Sequence, residues 1–351
     1  MSWVTALARP DIVALQVYEH AAWRPQLERL HANELPWSPT GGDPRSGINR
    51  YPEPQPRALI ERLAALYGVA ADSVLVGRGS DEAIDLLCRA FCRAGEDAVL
   101  VCPPTFGMYS VSARIQGAQV HTAPLAMERG FALDEAQLLA RCTRTTKLVF
   151  LCSPNNPTGN LLDEQAMLRI ARELAGRALV VVDEAYVEFA DRPSLARRLG
   201  ELPNLAVLRT LSKAYGLAGA RCGALLADPQ VIGLLRKIIP PYAIAKPTLD
   251  AVLSRLTPAA LAAGRAQLDT LLAERTRLLQ ALAQLPRIVR LWPSDSNFIL
   301  AEFDDAGAAL ERADQAGLLV RDARGYPGLG RALRITVGTA QQNSRLLEAW
   351  S

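Results

Sequence analysis

The sequence reads as an α/β protein, with a large domain built on a mostly parallel sheet flanked by helices and a smaller α+β domain after it. Two continuous apolar runs, Ala178-Leu-Val-Val-Val182 and Leu205-Ala-Val-Leu208, have the composition of strands buried on both faces. From about residue 57 to 240 such runs alternate with segments of helical period, which makes successive strands parallel. Past Pro240 the pattern changes to one long amphipathic helix followed by shorter strands. The expected organisation is an N-terminal arm over 1–45 that drapes over the small domain or a second subunit, a large domain over 46–240 and a small domain over 241–351.

Composition narrows the function classes. The 351 residues are 50% hydrophobic and 21% charged, enough for a sizeable core and too apolar for a disordered chain. The net charge of +3 comes without any run of Lys and Arg, so a nucleic-acid partner has no electrostatic footprint. Met1 to Pro10 lack a basic head followed by an apolar core, and no apolar run is long enough for a bilayer. A cytoplasmic protein with no membrane partner is expected. The six cysteines form no CxxC pair and have no histidines at ligand spacing; they read as reduced, mostly buried small hydrophobes, with no metal site.

Taken in order, the arm is irregular and leads to Asn49-Arg-Tyr-Pro-Glu-Pro-Gln-Pro56, whose alternating prolines force an extended course and hold Tyr51 stiffly. A helix over Arg57 to Tyr67 stops at Gly68, and a strand over Ser73 to Gly77 follows. Gly77-Arg-Gly-Ser-Asp-Glu82 then opens an apolar-periodic helix. Further strands are expected at 98–101, 119–122, 147–152, 178–182, 206–208 and 223–226. Beyond them come a helix over Leu256 to Leu285 stopped by Pro286, strands at 297–301, 318–321 and 332–337, and a closing helix over Gln341 to Trp350.

Chemistry concentrates at strand ends. Lys213 follows the strand at 205–208 in a loop of small residues; desolvation and a neighbouring cation such as Arg221 would both disfavour its ammonium form and free a nucleophilic amine. That is what a Schiff base with pyridoxal phosphate requires. Asp183 ends the preceding strand, and in an α/β sheet such ends border the ligand crevice. Gly77-x-Gly-Ser-Asp-Glu82 points the amides of Ser80 and Asp81 at a single phosphate, although a tight turn needing its glycines only for backbone geometry reads equally well. It is neither a dinucleotide fingerprint nor a P-loop. Phe106, in Cys102-Pro-Pro-Thr-Phe-Gly-Met-Tyr109, can stack on an aromatic ring, and Asn156, in Ser153-Pro-Asn-Asn-Pro-Thr-Gly159, can donate to a ring oxygen. With Tyr186, Ser212 and Arg221, five strand ends carry groups suited to one small, anionic, aromatic cofactor.

These stretches resemble a known family. Thr210 to Gly219 is similar to the cofactor-attachment signature of the class II pyridoxal-phosphate aminotransferases, a fold type I family, and Ser-Pro-Asn-Asn-Pro-Thr-Gly with Asp-Glu-Ala-Tyr is typical of their wider fold. Asn49 to Pro56, Cys102 to Ser110 and Leu333-Arg-Ile-Thr-Val-Gly338 resemble, more narrowly, the histidinol-phosphate aminotransferases. The resemblance runs from about Leu15 to Trp350. It implies that Lys213 carries pyridoxal 5'-phosphate, that Asp183 keeps the pyridine nitrogen protonated, and that Asn156 and Tyr186 contact the ring hydroxyl. Ser80, Asp81, Ser212 and Arg221 would hold the cofactor phosphate. Phe106 would stack on the ring, where many relatives have Tyr. Tyr51 would reach the neighbouring subunit's cofactor phosphate in a homodimer with shared sites.

The resemblance also implies the substrates. Histidinol phosphate has no α-carboxylate, so the arginine that clamps a carboxylate in amino-acid transaminases must receive a phosphate, and a guanidinium fork serves either. Arg334 and Arg321 are the candidates; strand-end arginines paired with Asp322 are the plainer reading. The same pair would take the carboxylates of glutamate or 2-oxoglutarate in the other half-reaction. Tyr18 is similar to the tyrosine that closes over the substrate phosphate, while Tyr242 stands where relatives carry a Pro-Tyr-Asn turn. The rival activities are decarboxylation of a phospho-amino acid such as threonine phosphate, and a broad aromatic or aspartate transamination.

Overall fold

A computed structural model describes residues 2–18, 23–24, 26–43 and 47–351. Its centre is a seven-stranded sheet among the described residues, in the order β1-β7-β6-β5-β4-β2-β3. The strands are β1 Val74–Gly77, β2 Ala98–Val101, β3 Gln119–Thr122, β4 Thr146–Cys152, β5 Leu179–Asp183, β6 Leu205–Thr210 and β7 Gly223–Ala227. Only β7 runs against its neighbours, pairing antiparallel with both β1 and β6. Alternation explains why the runs read as continuous: Val180 and Val182 of β5 face one core, Leu179 and Val181 the other, and β4 and β6 divide in the same way.

Helices cover both faces. Against one lie α3 (Arg57–Tyr67), α6 (Glu135–Arg141), α7 (Glu164–Glu173) and α9 (Lys246–Arg255); against the other lie α4 (Ser80–Phe91), α5 (Met108–Ile115) and α8 (Pro229–Leu235). Helix α3 ends as expected, at Gly68 in the left-handed conformation with φ +67°.

The start of the arm departs from its irregular reading. Trp3–Leu7 and Pro10–Ala14 form short helices α1 and α2; the first is capped by the Ser2 hydroxyl and the second opens on proline. Val4, Leu7 and Ala8 are buried in the core beneath α4 and α8, and the Arg9 amide donates to the Ala90 carbonyl. So this end docks on the large sheet's helical layer. Residues 15–50 carry no helix or strand among those described; 1, 19–22, 25 and 44–46, on which the arm reading also falls, lie outside the described residues.

After α9, the helix expected over 256–285 begins later, as α10 Pro258–Leu282, because Thr257 caps it and Pro258 occupies its first turn. The antiparallel four-stranded sheet that follows has the order β10-β11-β9-β8, with β8 Ile288–Leu291, β9 Phe298–Phe303, β10 Arg321–Asp322 and β11 Ala332–Thr336. β8 escaped the sequence reading, and β10 is shorter than the strand expected over 318–321, where Leu319 is 95% exposed. Helices α11 (Ala306–Gln315) and α12 (Ala340–Trp350) pack on this sheet, with Trp350 buried edge-on against Phe303 and its indole donating to the Ala309 carbonyl. The two sheets meet closely: a Cβ at Gly159 would lie 2.7 Å from Ser294 Oγ, and the Asp295 amide donates to the Gly159 carbonyl.

Candidate active site

Because six strands of the large sheet run one way, the segments following β1, β2, β4, β5 and β6 emerge on one edge. The reversed β7 begins on that same edge. There they enclose a cavity of about 330 Å³ lined by Ser80, Asp81, Phe106, Asn156, Asp183, Tyr186, Ser212, Lys213, Arg221, Arg321 and Arg334, together with Tyr326. A volume of this order suits a small ligand.

One end of the cavity could hold an anion. Helix α4 opens at Ser80 directly after Gly79, whose φ of +86° suits a residue without a side chain. Arg221, itself left-handed at φ +50°, donates through Nη1 to Ser212 Oγ (3.3 Å) and the Ala218 carbonyl, and through Nη2 to the Asp81 carboxylate (3.3 Å). The Asp81 carboxylate thus steadies Arg221, which leaves the Asp81 amide as the group that could meet an anion. Gly223 is needed here, because a Cβ on it would lie 2.8 Å from both the Gly79 carbonyl carbon and the Ser80 nitrogen.

Lys213 lines the cavity and is exposed rather than enclosed by the core as its position after a buried strand suggests. The surrounding walls still desolvate the amine enough to lower its pKa. Arg334 is the next cause and Arg221 a lesser one, with Asp81 and Asp183 opposing. The cation chosen from sequence thus contributes, but a residue far along the chain contributes more. Nζ lies 5.5 Å from the centre of the Tyr186 ring.

Asp183, 2% exposed, closes the floor. Burial pushes its pKa up to about 6, opposed chiefly by the hydrogen bond from the Tyr109 hydroxyl (2.7 Å) and then by the Ala185 amide (3.0 Å). Phe106 forms a wall and meets the buried Tyr109 edge-on at 5.5 Å. At the opposite side, Asn156 accepts a hydrogen bond from Arg334 Nη1 and donates weakly to the Tyr186 hydroxyl (3.5 Å). Behind the floor, Arg209 of β6 is buried against Glu188 (2.5 Å) and Glu184 (3.6 Å), tying the ends of β5 and β6 together.

Arg334 and Arg321 sit directly opposite each other on β11 and β10. Asp322, the acid beside them, is taken instead by Arg324 (2.8 Å), and Arg334 Nε is buried without a partner among the described residues. Tyr51 and Tyr18 do not line this cavity in the single chain. Tyr51 stacks on Tyr242 at 4.5 Å and is 48% exposed; Tyr18 is 66% exposed in the segment after α2. Sequence reading missed Tyr109 and Tyr326 as site residues. Tyr109 lies three residues after Phe106, and that spacing across the start of α5 was the available signal. Tyr326 sits in a Gly-Tyr-Pro-Gly turn that announces only a loop.

A family model described as aminotransferase class I and II matches residues 43–349. The chain belongs to that family. Among class I and II aminotransferases it is 48% identical to a histidinol-phosphate aminotransferase of Stenotrophomonas maltophilia, over 99% of this chain and 96% of that protein. It is 42% identical to the enzyme of the same name from Escherichia coli, over 99% and 97%. Among solved structures it resembles the histidinol-phosphate aminotransferase from Sinorhizobium meliloti in complex with pyridoxal-5'-phosphate, with a TM-score of 0.78, 27% identity, and coverage of 86% of this chain and 82% of that one. This neighbour also bears out the expectation of a fold type I aminotransferase architecture.

Proposed function

We propose that this aminotransferase uses pyridoxal 5'-phosphate to transfer an amino group between L-histidinol phosphate and 2-oxoglutarate, giving imidazole-acetol phosphate and L-glutamate in L-histidine biosynthesis. Relatives named for that activity match almost the whole chain. The observation that carries the reading is the pairing of Arg321 with Arg334 in the wall of the Lys213 cavity, with Asp322 engaged elsewhere. Two guanidinium groups suit a phosphate dianion in one half-reaction and a carboxylate in the other.

The donor set fits the cofactor: an anion cradle at one end, a buried carboxylate on the floor, an aromatic wall and a lysine with a lowered pKa between them. When bound, the cofactor supplies an electron sink for the charge left at the substrate Cα. Lys213 would hold its aldehyde and then carry the proton from and to Cα as base and acid. Asp183 would hold a proton on the ring nitrogen, Asn156 and Tyr186 would orient the ring oxygen, and Phe106 would stack. Ser80, Asp81, Ser212 and Arg221 would hold the phosphate.

Tyr51 and Tyr18, displaced from the chain's own cavity, belong in this reading to sites completed in a homodimer: Tyr51 at the neighbour's cofactor phosphate, Tyr18 over a substrate phosphate. Tyr242 would support Tyr51 by stacking. The three-part division at residues 45 and 240 and a cytoplasmic location belong to the same reading. No helix among the described residues is long and apolar enough to cross a membrane.

A single-turnover absorption scan tests the activity, using loaded enzyme with L-histidinol phosphate and, separately, histidinol. Rapid loss of the cofactor band with the phosphorylated compound alone is expected. An unchanged band with both removes the substrate assignment, and carbon dioxide release from threonine phosphate would replace it with decarboxylation.

A further inference from the structure

We infer that Tyr109 is a positioning residue serving two walls of the cofactor slot at once: its hydroxyl fixes Asp183, and its ring braces Phe106. The inference rests on the cofactor role proposed above for Asp183. Tyr109 is completely buried on the first turn of α5. Its ring lies nearly parallel to that of Phe150 in β4, with centres 4.8 Å apart and planes 4° apart, and its edge meets Phe106 at 5.5 Å and 82°. Clamped on the sheet in this way, the ring has no room to swing. Its hydroxyl donates to Asp183 Oδ2 at 2.7 Å, while the Ala185 amide donates to Oδ1 at 3.0 Å. Both carboxylate oxygens are therefore held, and the plane of the acid is fixed relative to the aromatic wall.

The charged and titratable groups around Asp183 give the hydroxyl a further task. Asp81 from α4 repels the carboxylate, Lys213 after β6 attracts it, and the Cys152 thiol of β4, pushed up by burial, stays protonated. Burial has removed most of the water that would otherwise solvate the acid, and the tyrosine returns one strong donor. Removing that donor favours the protonated acid, so the carboxylate would form only at higher pH. Tyr109→Phe keeps the brace and removes the donor. Phe150→Leu loosens the brace and leaves the donor.

The test is titration of the cofactor-free protein with pyridoxal 5'-phosphate from about pH 5 to pH 9, read by quenching of tryptophan fluorescence, alongside kcat and KM of the loaded enzyme. Binding to the native protein should weaken on the acid side near Asp183's pKa of about 6. In Tyr109→Phe that limb should rise by about one pH unit, and kcat should fall about fivefold near pH 6 and about twofold near pH 7, with KM little changed. Phe150→Leu should weaken binding without moving the limb. In an Asp183→Asn background, which should have no such limb, Tyr109→Phe should add no further loss of kcat. A limb unmoved by Tyr109→Phe but lost in Asp183→Asn overturns the inference alone, as does a limb moved equally by Phe150→Leu. A limb that survives Asp183→Asn overturns the reading of Asp183 beneath it.

Discussion

At the scale of single residues, burial and neighbouring charges move the protonation of Lys213 and Asp183. In the proposed function Lys213 would present a neutral amine to an aldehyde, and its lowered pKa comes from desolvation first and Arg334 second. Arg334→Ala removes the larger cationic contribution, so the lysine pKa rises and less of the amine is neutral at pH 7. The expected result is that capture of pyridoxal 5'-phosphate by the cofactor-free protein slows at neutral pH and its pH midpoint moves upward; stopped-flow absorbance measures both. The same variant should bind phosphorylated substrate at least tenfold more weakly, the order expected for loss of a charge-assisted contact. An unchanged midpoint would show that Arg334 does not tune Lys213, leaving burial and Arg221. Lys213→Ala should abolish turnover and covalent retention of the cofactor, which denaturing mass spectrometry reads directly.

At the scale of elements, the turn proposed to hold the cofactor phosphate depends on how closely α4 approaches β7. Gly223→Ala places a methyl group within 2.8 Å of the Gly79 and Ser80 backbone, which cannot yield as a flexible side chain would. Overpacking of this kind costs about 1–3 kcal/mol, and thermal unfolding of the cofactor-free protein should show it together with weaker cofactor binding. The elements carrying this geometry were legible because each combines an unbroken apolar run with a polar terminus: β5 ending in Asp183, β6 leading to Lys213, β1 leading to Gly79 and Ser80. What was not legible had weaker local signals. Ile288–Leu291 is short and only partly buried, α1 and α2 are a turn or so each, and α9 (Lys246–Arg255), directly before the long helix expected from Leu256, was not expected at all. Tyr109 was visible as part of a motif, but its bond to Asp183 joins residues 74 positions apart and exists only once β2 and β5 share a sheet.

At the scale of the whole molecule, two site residues named from the sequence, Tyr18 and Tyr51, lie outside the cavity of their own chain, and several apolar side chains between them in the chain are exposed, among them Leu30 (96%), Trp37 (75%) and Leu35 (69%). If Tyr51 completes a neighbour's site, mixing Lys213→Ala and Tyr51→Ala subunits should create hybrids in which one site is fully native. Activity after subunit exchange should then rise well above that of either parent, towards roughly a quarter of the native value if exchange is random and each dimer holds two sites. No gain on mixing, with hybrid formation verified by native mass spectrometry, would place Tyr51 in its own subunit's chemistry or outside the reaction. The strand order has a further consequence, in time rather than space. β1, which leads into the proposed phosphate-binding turn, has β7 as its only strand partner among the described residues, and β7 is the last of the seven strands to leave the ribosome. A nascent chain that already contains Lys213 still cannot seat β1 until Gly223–Ala227 have emerged. The end of β1 that leads to Gly79 and Ser80 should therefore gain amide protection after β4, β5 and β6 do, an order that pulse-labelled hydrogen exchange on stalled chains would reveal.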